Sequence, residues 1–189
     1  MSKAHFTSAS SDSSAFPFLF SLPLNAGKTQ VMDQILNYKD ALNKAAALCS
    51  KSEKCSGDIR KKLLDWGIPP EETEKAIEYL KSEKFLDDAR FAGFFARDKF
   101  RFNGWGKIKI RYALRQKEVE SSVIEDAIAA IDKNDYLHYL KELVQAKARK
   151  INADSTYEKK AKLVRYAQGR GFEPELIFNA VDDVLADEG

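Results

Sequence analysis

The side chains with the clearest chemical potential are cations. Between Arg90 and Lys117, nine Lys or Arg stand against a single acid, Asp98. From 107 to 117, Lys107, Lys109, Arg111, Arg115 and Lys117 have no acid among them, so i, i+4 pairing cannot neutralise them locally. Arg90, and then Arg97 and Arg101 four apart, extend the run toward the N-terminus. Such a cluster suits electrostatic recognition of an acidic partner, either a protein surface or a phosphate backbone. The competing reading is a solvated face whose charge is met by acids of a neighbouring unit, such as the EDA or DD runs. Trp105, between two glycines, could stack on a base or serve as a packing wedge.

Other chemistry is sparse. Cys49 and Cys55 have no companions at zinc spacing, which points to reduced thiols and no metal or disulfide framework. His5 and His138 lie far apart, and no nucleophile sits beside a base at a recognisable spacing. The NAGKT stretch ends like a phosphate-binding loop, but that loop needs glycine where this chain has Leu22. No cofactor is therefore expected, and enzyme chemistry has little support. The net charge of the 189 residues is only +2, so any basic surface must come from local clustering.

The elements that must position these cations are helical. Residues 1–31 form a Ser-rich leader without helical period, either a disordered tail or a stretch preceding the true start of translation. Pro17 and Pro23 break its apolar run and Asp12 precedes it, against an export signal. From Tyr38 onward, amphipathic helices follow one another. Thr73, Ala76, Ile77 and Leu80 keep helical spacing behind Pro70; Val123, Ile124, Ala127, Ile128 and Ile131 do so behind a Ser cap; Leu176, Ile177, Ala180, Val181 and Val184 do so behind Pro174.

What precedes each of these three is also shared. LLDWGIPPEE, LRQKEVESSV and AQGRGFEPEL place Ile68, Val119 and Phe172 in one slot, at offsets of 51 and 53 residues. A period near 50 residues means repeated units that bury their apolar faces against each other. The repeat decides the state of the KIKIRY stretch, whose Ile108, Ile110 and Tyr112 alternate like a strand. Ile110 and Leu114 fall on Ile59 and Leu63 of the first unit and on Leu163 and Ala167 of the third. DIRKKLLDWG, with Asp58 as cap and Gly67 as stop, reads as helix, so KIKIRYALRQK does too.

Each unit opens with a longer helix. The first carries Leu42, Ala45 and Cys49, the third Leu137, Leu140, Val144 and Ile151. The second is capped by Asp87 or Asp88 and carries Phe91, Phe95 and Phe102 as a core stripe up to Asn103 and Gly104. The expected fold is all-α: three tandem three-helix repeats at 32–86, 87–133 and 134–189, forming an elongated, curved, solenoid-like chain. Three small helices joined by short turns are also common in DNA readers, which leaves an autonomous, sequence-independent DNA-binding protein as a second reading.

FLDDARFAGFFARDKFRFNGWGKIKIRYALRQKEV resembles the signature region of the bacterial RecX regulatory proteins. SGDIRKKLLDWGIPPEETEKAIEYLKSEKFLDD resembles the opening repeat of that family, and LVRYAQGRGFEPELIFNAV its closing one. The likeness spans about residues 38–186. Its matching positions are Leu86, Asp87, Asp88, Arg90, Phe91, Ala92, Gly106, Ile110, Leu114 and Val119. The resemblance implies a cytoplasmic, non-enzymatic, monomeric modulator, usually an inhibitor, that binds in the groove of the RecA recombinase filament on single- or double-stranded DNA. It implies a role in recombination, repair and the SOS response, and no membrane partner. One position departs from the pattern: Glu118 stands where Gly67 and Gly171 stand in the other units, altering the helix stop and its charge.

Overall fold

The computed structural model describes residues 36–187, so the leader lies outside the described residues. Among those described, helices alone form the regular structure: α1 Tyr38–Lys51, α2 Ser56–Asp65, α3 Pro70–Ser82, α4 Asp88–Arg101, α5 Lys107–Arg115, α6 Ser121–Ala129, α7 Lys133–Ala148, α8 Thr156–Arg170 and α9 Pro174–Ala186. They form three tandem three-helix units, α1–α3, α4–α6 and α7–α9. The KIKIRY stretch is the helix α5.

The periodic apolar residues explain why. Ile59 and Leu63, Ile110 and Leu114, and Leu163 and Ala167 are all fully buried, one pair per middle helix. A strand would have put Ile108 and Tyr112 on the same face as Ile110. As a helix, α5 buries Ile110 and Leu114 and leaves Ile108 and Tyr112 in solvent. The third helix of each unit packs as its spacing predicts: Thr73, Ala76, Ile77 and Leu80 are buried, as are Ile124, Ala127 and Ile128, and Ile177, Ala180, Val181 and Val184.

The helix starts follow local polar chemistry, with some differences from expectation. Asp87 caps α4, its carboxylate accepting from the Arg90 N–H at 2.9 Å. Asn37, Asp132 and Ser155 cap α1, α7 and α8 in the same way. Asp58 does not cap α2; Cys55 does, its Sγ accepting from the Asp58 N–H at 3.4 Å. Nor does a serine cap α6: Glu120 holds the cap position without a side-chain bond, and Ser121 is the first helical residue. Phe102 is not core. α4 ends at Arg101 and the chain turns through Gly104 at φ 62°, so the third ring of the expected stripe swings out to 82 % exposure. In α7 the buried line begins at Tyr136, leaving Leu137 outside.

Each middle helix closes with one turn motif. The N–H groups of Ile68, Val119 and Phe172 donate to the carbonyls of Leu63, Leu114 and Ala167. The residue before each is left-handed: Gly67 at φ 82°, Glu118 at φ 58° and Gly171 at φ 87°. This is the Schellman ending, which returns the next apolar side chain to the core. Glu118 thus preserves the turn in a conformation that favours glycine.

The cores are unequal. The first unit has its own, around Ala41, Ala45, Ile59, Leu63, Ile77 and Leu80. The second and third share one, centred on Phe100, Tyr136 and Phe172, whose ring centroids lie 5.5 Å and 5.1 Å apart in succession.

Candidate functional site

The middle helices meet end to end, and this contact fixes where the cations stand. At its N-terminus α5 has no side-chain cap. Its free backbone donors are met by the next unit instead: Gly106 N–H donates to the Arg170 carbonyl at 2.8 Å, Ile108 N–H to the Gly171 carbonyl at 3.0 Å, and Lys107 N–H to the Tyr136 hydroxyl at 2.9 Å. Tyr136 in turn donates to Glu173 at 2.6 Å. Burial, then the Glu173 acceptor, push the Tyr136 hydroxyl far above its ordinary pKa, so it remains a neutral donor. The C-terminal end of α8 thus docks on the N-terminal end of α5, a favourable alignment of helix dipoles.

The joint between α2 and α5 uses the equivalent carbonyl. Lys117 occupies the slot of Arg170, and its carbonyl accepts from the Cys55 thiol at 3.7 Å. Burial pushes that thiol up to about 11. Beside it, Asp88 accepts from both the N–H and the hydroxyl of Ser56 at 2.7 Å. Burial raises the Asp88 pKa, but the Ser56 bonds and Lys81 outweigh it and hold it below its ordinary value.

The eight cations singled out from sequence therefore divide. Three are engaged by acids on other elements. Arg111 grips Glu125 of α6 at 2.7 and 2.8 Å. This bond raises the Arg111 pKa and lowers that of Glu125. Lys117 reaches Asp58 at 2.7 Å. Arg90 reaches Glu53 at 2.7 Å, which raises its pKa. The first unit repeats the Arg111 clamp in the same slots, as Arg60 with Glu74 at 2.6 Å. In the third unit those slots hold Val164 and Phe178. For these three cations, pairing with neighbouring acids is what the structure places; the EDA run supplies Glu125, while Asp182 of the terminal DD run pairs with Lys160 of its own unit.

The other five, Arg97, Arg101, Lys107, Lys109 and Arg115, have no acid within ion-pair distance among the described residues. Arg97 and Arg101 line a cleft with Phe100, Ala127 and Ile131, and with the acids Asp132 and Asp135, which stand beyond ion-pair distance. Lys107 lies over the Tyr136 ring at 4.8 Å. Lys109 lies over Trp105 at 4.9 Å, and Lys99 over the same ring at 5.2 Å. Trp105 itself is half-buried edge-on to Phe95, so it wedges the α4–α5 corner while carrying two cations. Phe102, Ile108 and Tyr112 are exposed among these charges. Asp87, Asp88, Phe91, Gly106, Ile110 and Leu114 are the frame behind them: cap, joint and core.

Sequence reading missed the cations of the third unit. Lys147 and Arg170 flank the Tyr166 ring at 5.0 and 5.4 Å, and Arg165 stands on the same helix as Tyr166. The signal was available, since Lys162 and Arg170 occupy the repeat slots of Lys109 and Lys117.

Fold and surface together define a class, a tandem three-helix repeat protein with a cationic face that its own acids do not fully match. Known proteins are similar over most of the chain. Models of the first, second and third three-helix domains of RecX match residues 41–80, 87–128 and 134–181. The regulatory protein RecX of Clostridium botulinum (strain Eklund 17B / Type B) is 32% identical over 167 residues, 86% of this chain and 76% of the relative. That of Prosthecochloris aestuarii is 31% identical over 150 residues, 78% and 95% of the two chains. The crystal structure of RecX from Lactobacillus salivarius shares the fold at a TM-score of 0.72 and 18% identity, covering 79% of this chain and 97% of that one. The chain belongs to the RecX family of regulatory proteins.

Proposed function

We propose that this chain is a cytoplasmic, monomeric, non-enzymatic regulator that binds filaments of the RecA recombinase on DNA and restrains their extension, ATP hydrolysis and strand exchange. Family membership supports the regulatory role. The observation that supports the contact surface is the set of five middle-unit cations with no acid at ion-pair distance among the described residues, interleaved with exposed Phe102, Ile108 and Tyr112. Apolar side chains among unpaired charges suit a protein partner that is itself bound to a polyanion.

The test is DNA-stimulated ATP hydrolysis by RecA. Substoichiometric amounts of the protein lower it, and unchanged hydrolysis with both growing and preformed filaments overturns the reading. Lys109→Glu with Arg115→Glu weakens inhibition at least about tenfold, an effect of about 1.4 kcal/mol, with helicity intact. Arg111 is left out of this variant because reversing it would break the clamp to Glu125 that joins α5 to α6.

A further inference from the structure

We infer that the cleft between α4, α6 and the start of α7 is a docking groove for an amphipathic helix of a partner protein, one that presents an apolar side chain beside carboxylates spaced one turn apart. Such a groove deepens the filament reading, on which it rests for the existence of a protein partner, by fixing what that partner must present.

Gly93 stands inside α4, in ordinary helical backbone, where glycine is the least favourable residue apart from proline. A methyl group built on it would meet nothing within 4 Å, whereas one on Gly106 would strike backbone. The chain's own packing thus gives no reason for glycine at this point, and close approach from outside does. Gly93 opens into the cleft. With Arg97, Phe100 and Arg101 it makes one face of α4, at spacings of i, i+4, i+7 and i+8. Ala127 of α6 and Ala130 just beyond it line the other side. Small residues on two neighbouring helices let a third come close. The cleft holds about 350 Å³. That is less than one turn of helix with its side chains occupies, so the cleft seats side chains while the partner's backbone crosses its mouth at Gly93.

The charges select the occupant. Arg97 and Arg101 have no acid at ion-pair distance among the described residues, and they stand one helical turn apart. Carboxylates four residues apart on a second helix match that spacing, and the guanidinium fork suits a carboxylate in bidentate geometry. Asp132 and Asp135 also line the cleft. The Asp132 carboxylate accepts from the N–H groups of Asn134 and Asp135, both at 2.8 Å. Asp135 has no cation at ion-pair distance among the described residues. These two acids repel a phosphate backbone, and Asp135 is placed to receive a lysine or arginine instead. Phe100, Ala127 and Ile131 supply the apolar contact. A helix with acidic, apolar and basic side chains along one face answers each of these groups.

Two substitutions at Gly93 test the groove. Gly93→Ala is expected to raise the thermal midpoint by about 2–4 °C; a lower midpoint would show that the glycine serves the chain's own packing, and overturns the proposal. Gly93→Leu fills the groove without removing a charge, and raises the concentration needed to inhibit DNA-stimulated ATP hydrolysis by RecA about tenfold or more. A Gly93→Leu protein of unaltered circular dichroism that inhibits like the parent overturns the groove. A parent that does not inhibit at all fails the filament reading instead, and a second experiment decides the groove without any recombinase. The full chain, labelled at its alanine and isoleucine methyl groups, is titrated with an alanine-rich helical peptide carrying two glutamates four apart, a leucine between them and a lysine one turn on. The resonances of Ala127, Ala130 and Ile131 shift while those of Ala41 and Ile59 in the first unit do not. Glutamine in place of the glutamates weakens binding about tenfold or more. Absence of shifts at millimolar peptide overturns the proposal. So does an oligothymidine that moves the same resonances, because the cleft would then belong to a polyanion.

Discussion

Glu118 pays no evident penalty in geometry for standing where two glycines stand in the sister units. Its φ of 58° keeps the Val119 N–H on the Leu114 carbonyl, and its carboxylate accepts from Arg60 at 2.8 Å. A non-glycine residue in that region carries about 1 kcal/mol of strain. Replacing it with glycine removes the strain but frees the unfolded chain and forfeits an exposed ion pair worth a few tenths of a kcal/mol. Glu118→Gly is therefore expected to move stability by no more than about 0.5 kcal/mol. Glu118→Val puts a β-branched side chain at the same φ, where it is a true outlier, and is expected to cost about 1–2 kcal/mol. Urea midpoints of the two variants check this, and equal losses would show that the left-handed turn is not what decides the outcome. Arg111 makes a related point. Counted as a charge it belongs to the basic run; as a bidentate partner of Glu125 it is a strut, and Arg60 with Glu74 repeats the strut 51 residues earlier.

Among elements, α5 shows what sequence could and could not tell. Its helical state was readable only by comparison, because six alternating residues fit a strand while the slots of Ile110 and Leu114 matched helical neighbours in two other units. The pairing of its cations was harder to read. Lys117 meets an acid 59 residues away and Arg90 one 37 residues away, separations at which no local rule operates. The clamp of Arg111, 14 residues from its partner and duplicated in the first unit, was within reach of the same repeat comparison. Exposure of Phe102 escaped because periodicity assumes that the helix continues, and α4 stops one residue short of it. Nor does Gly106 show by type alone that it lies against another unit. A methyl group on it would overlap the Gly171 carbonyl carbon and oxygen and the Phe172 nitrogen, all backbone atoms that cannot rotate away. Gly106→Ala must therefore push α8 from α5, weakening the bonds to Arg170 and Gly171, at a cost of about 1–3 kcal/mol. Calorimetry measures the loss, and a variant as stable as the parent would mean that the two helices separate freely.

Across the molecule, the two joints between units differ in kind, and so should their response to pH. The second and third units share a core through Phe100, Tyr136 and Phe172, which no titration near neutral pH disturbs. The first unit keeps a separate core and meets the second through one apolar plug, Cys55, which is buried in the shared core, and through polar links: Ser56 on Asp88, Lys117 on Asp58, Arg60 on Glu118 and Arg90 on Glu53. Asp88 is the most enclosed carboxylate of these pairs, with 19 % of its side chain exposed. Its folded-state pKa lies below the unfolded value of about 3.9. Its stabilising contribution is therefore complete above that value and is lost as pH falls through the folded one. Below about pH 4 the first unit is expected to loosen while the other two stay paired. Asp88→Ala mimics this at neutral pH by leaving the Ser56 N–H and hydroxyl without their acceptor, costing about 1–3 kcal/mol. Hydrogen exchange read by mass spectrometry localises the effect: amides of α1–α3 lose protection first, and those of α4–α9 hold. Uniform loss along the chain would refute a separable first unit, and would mean that the three units unfold as one body despite their divided cores.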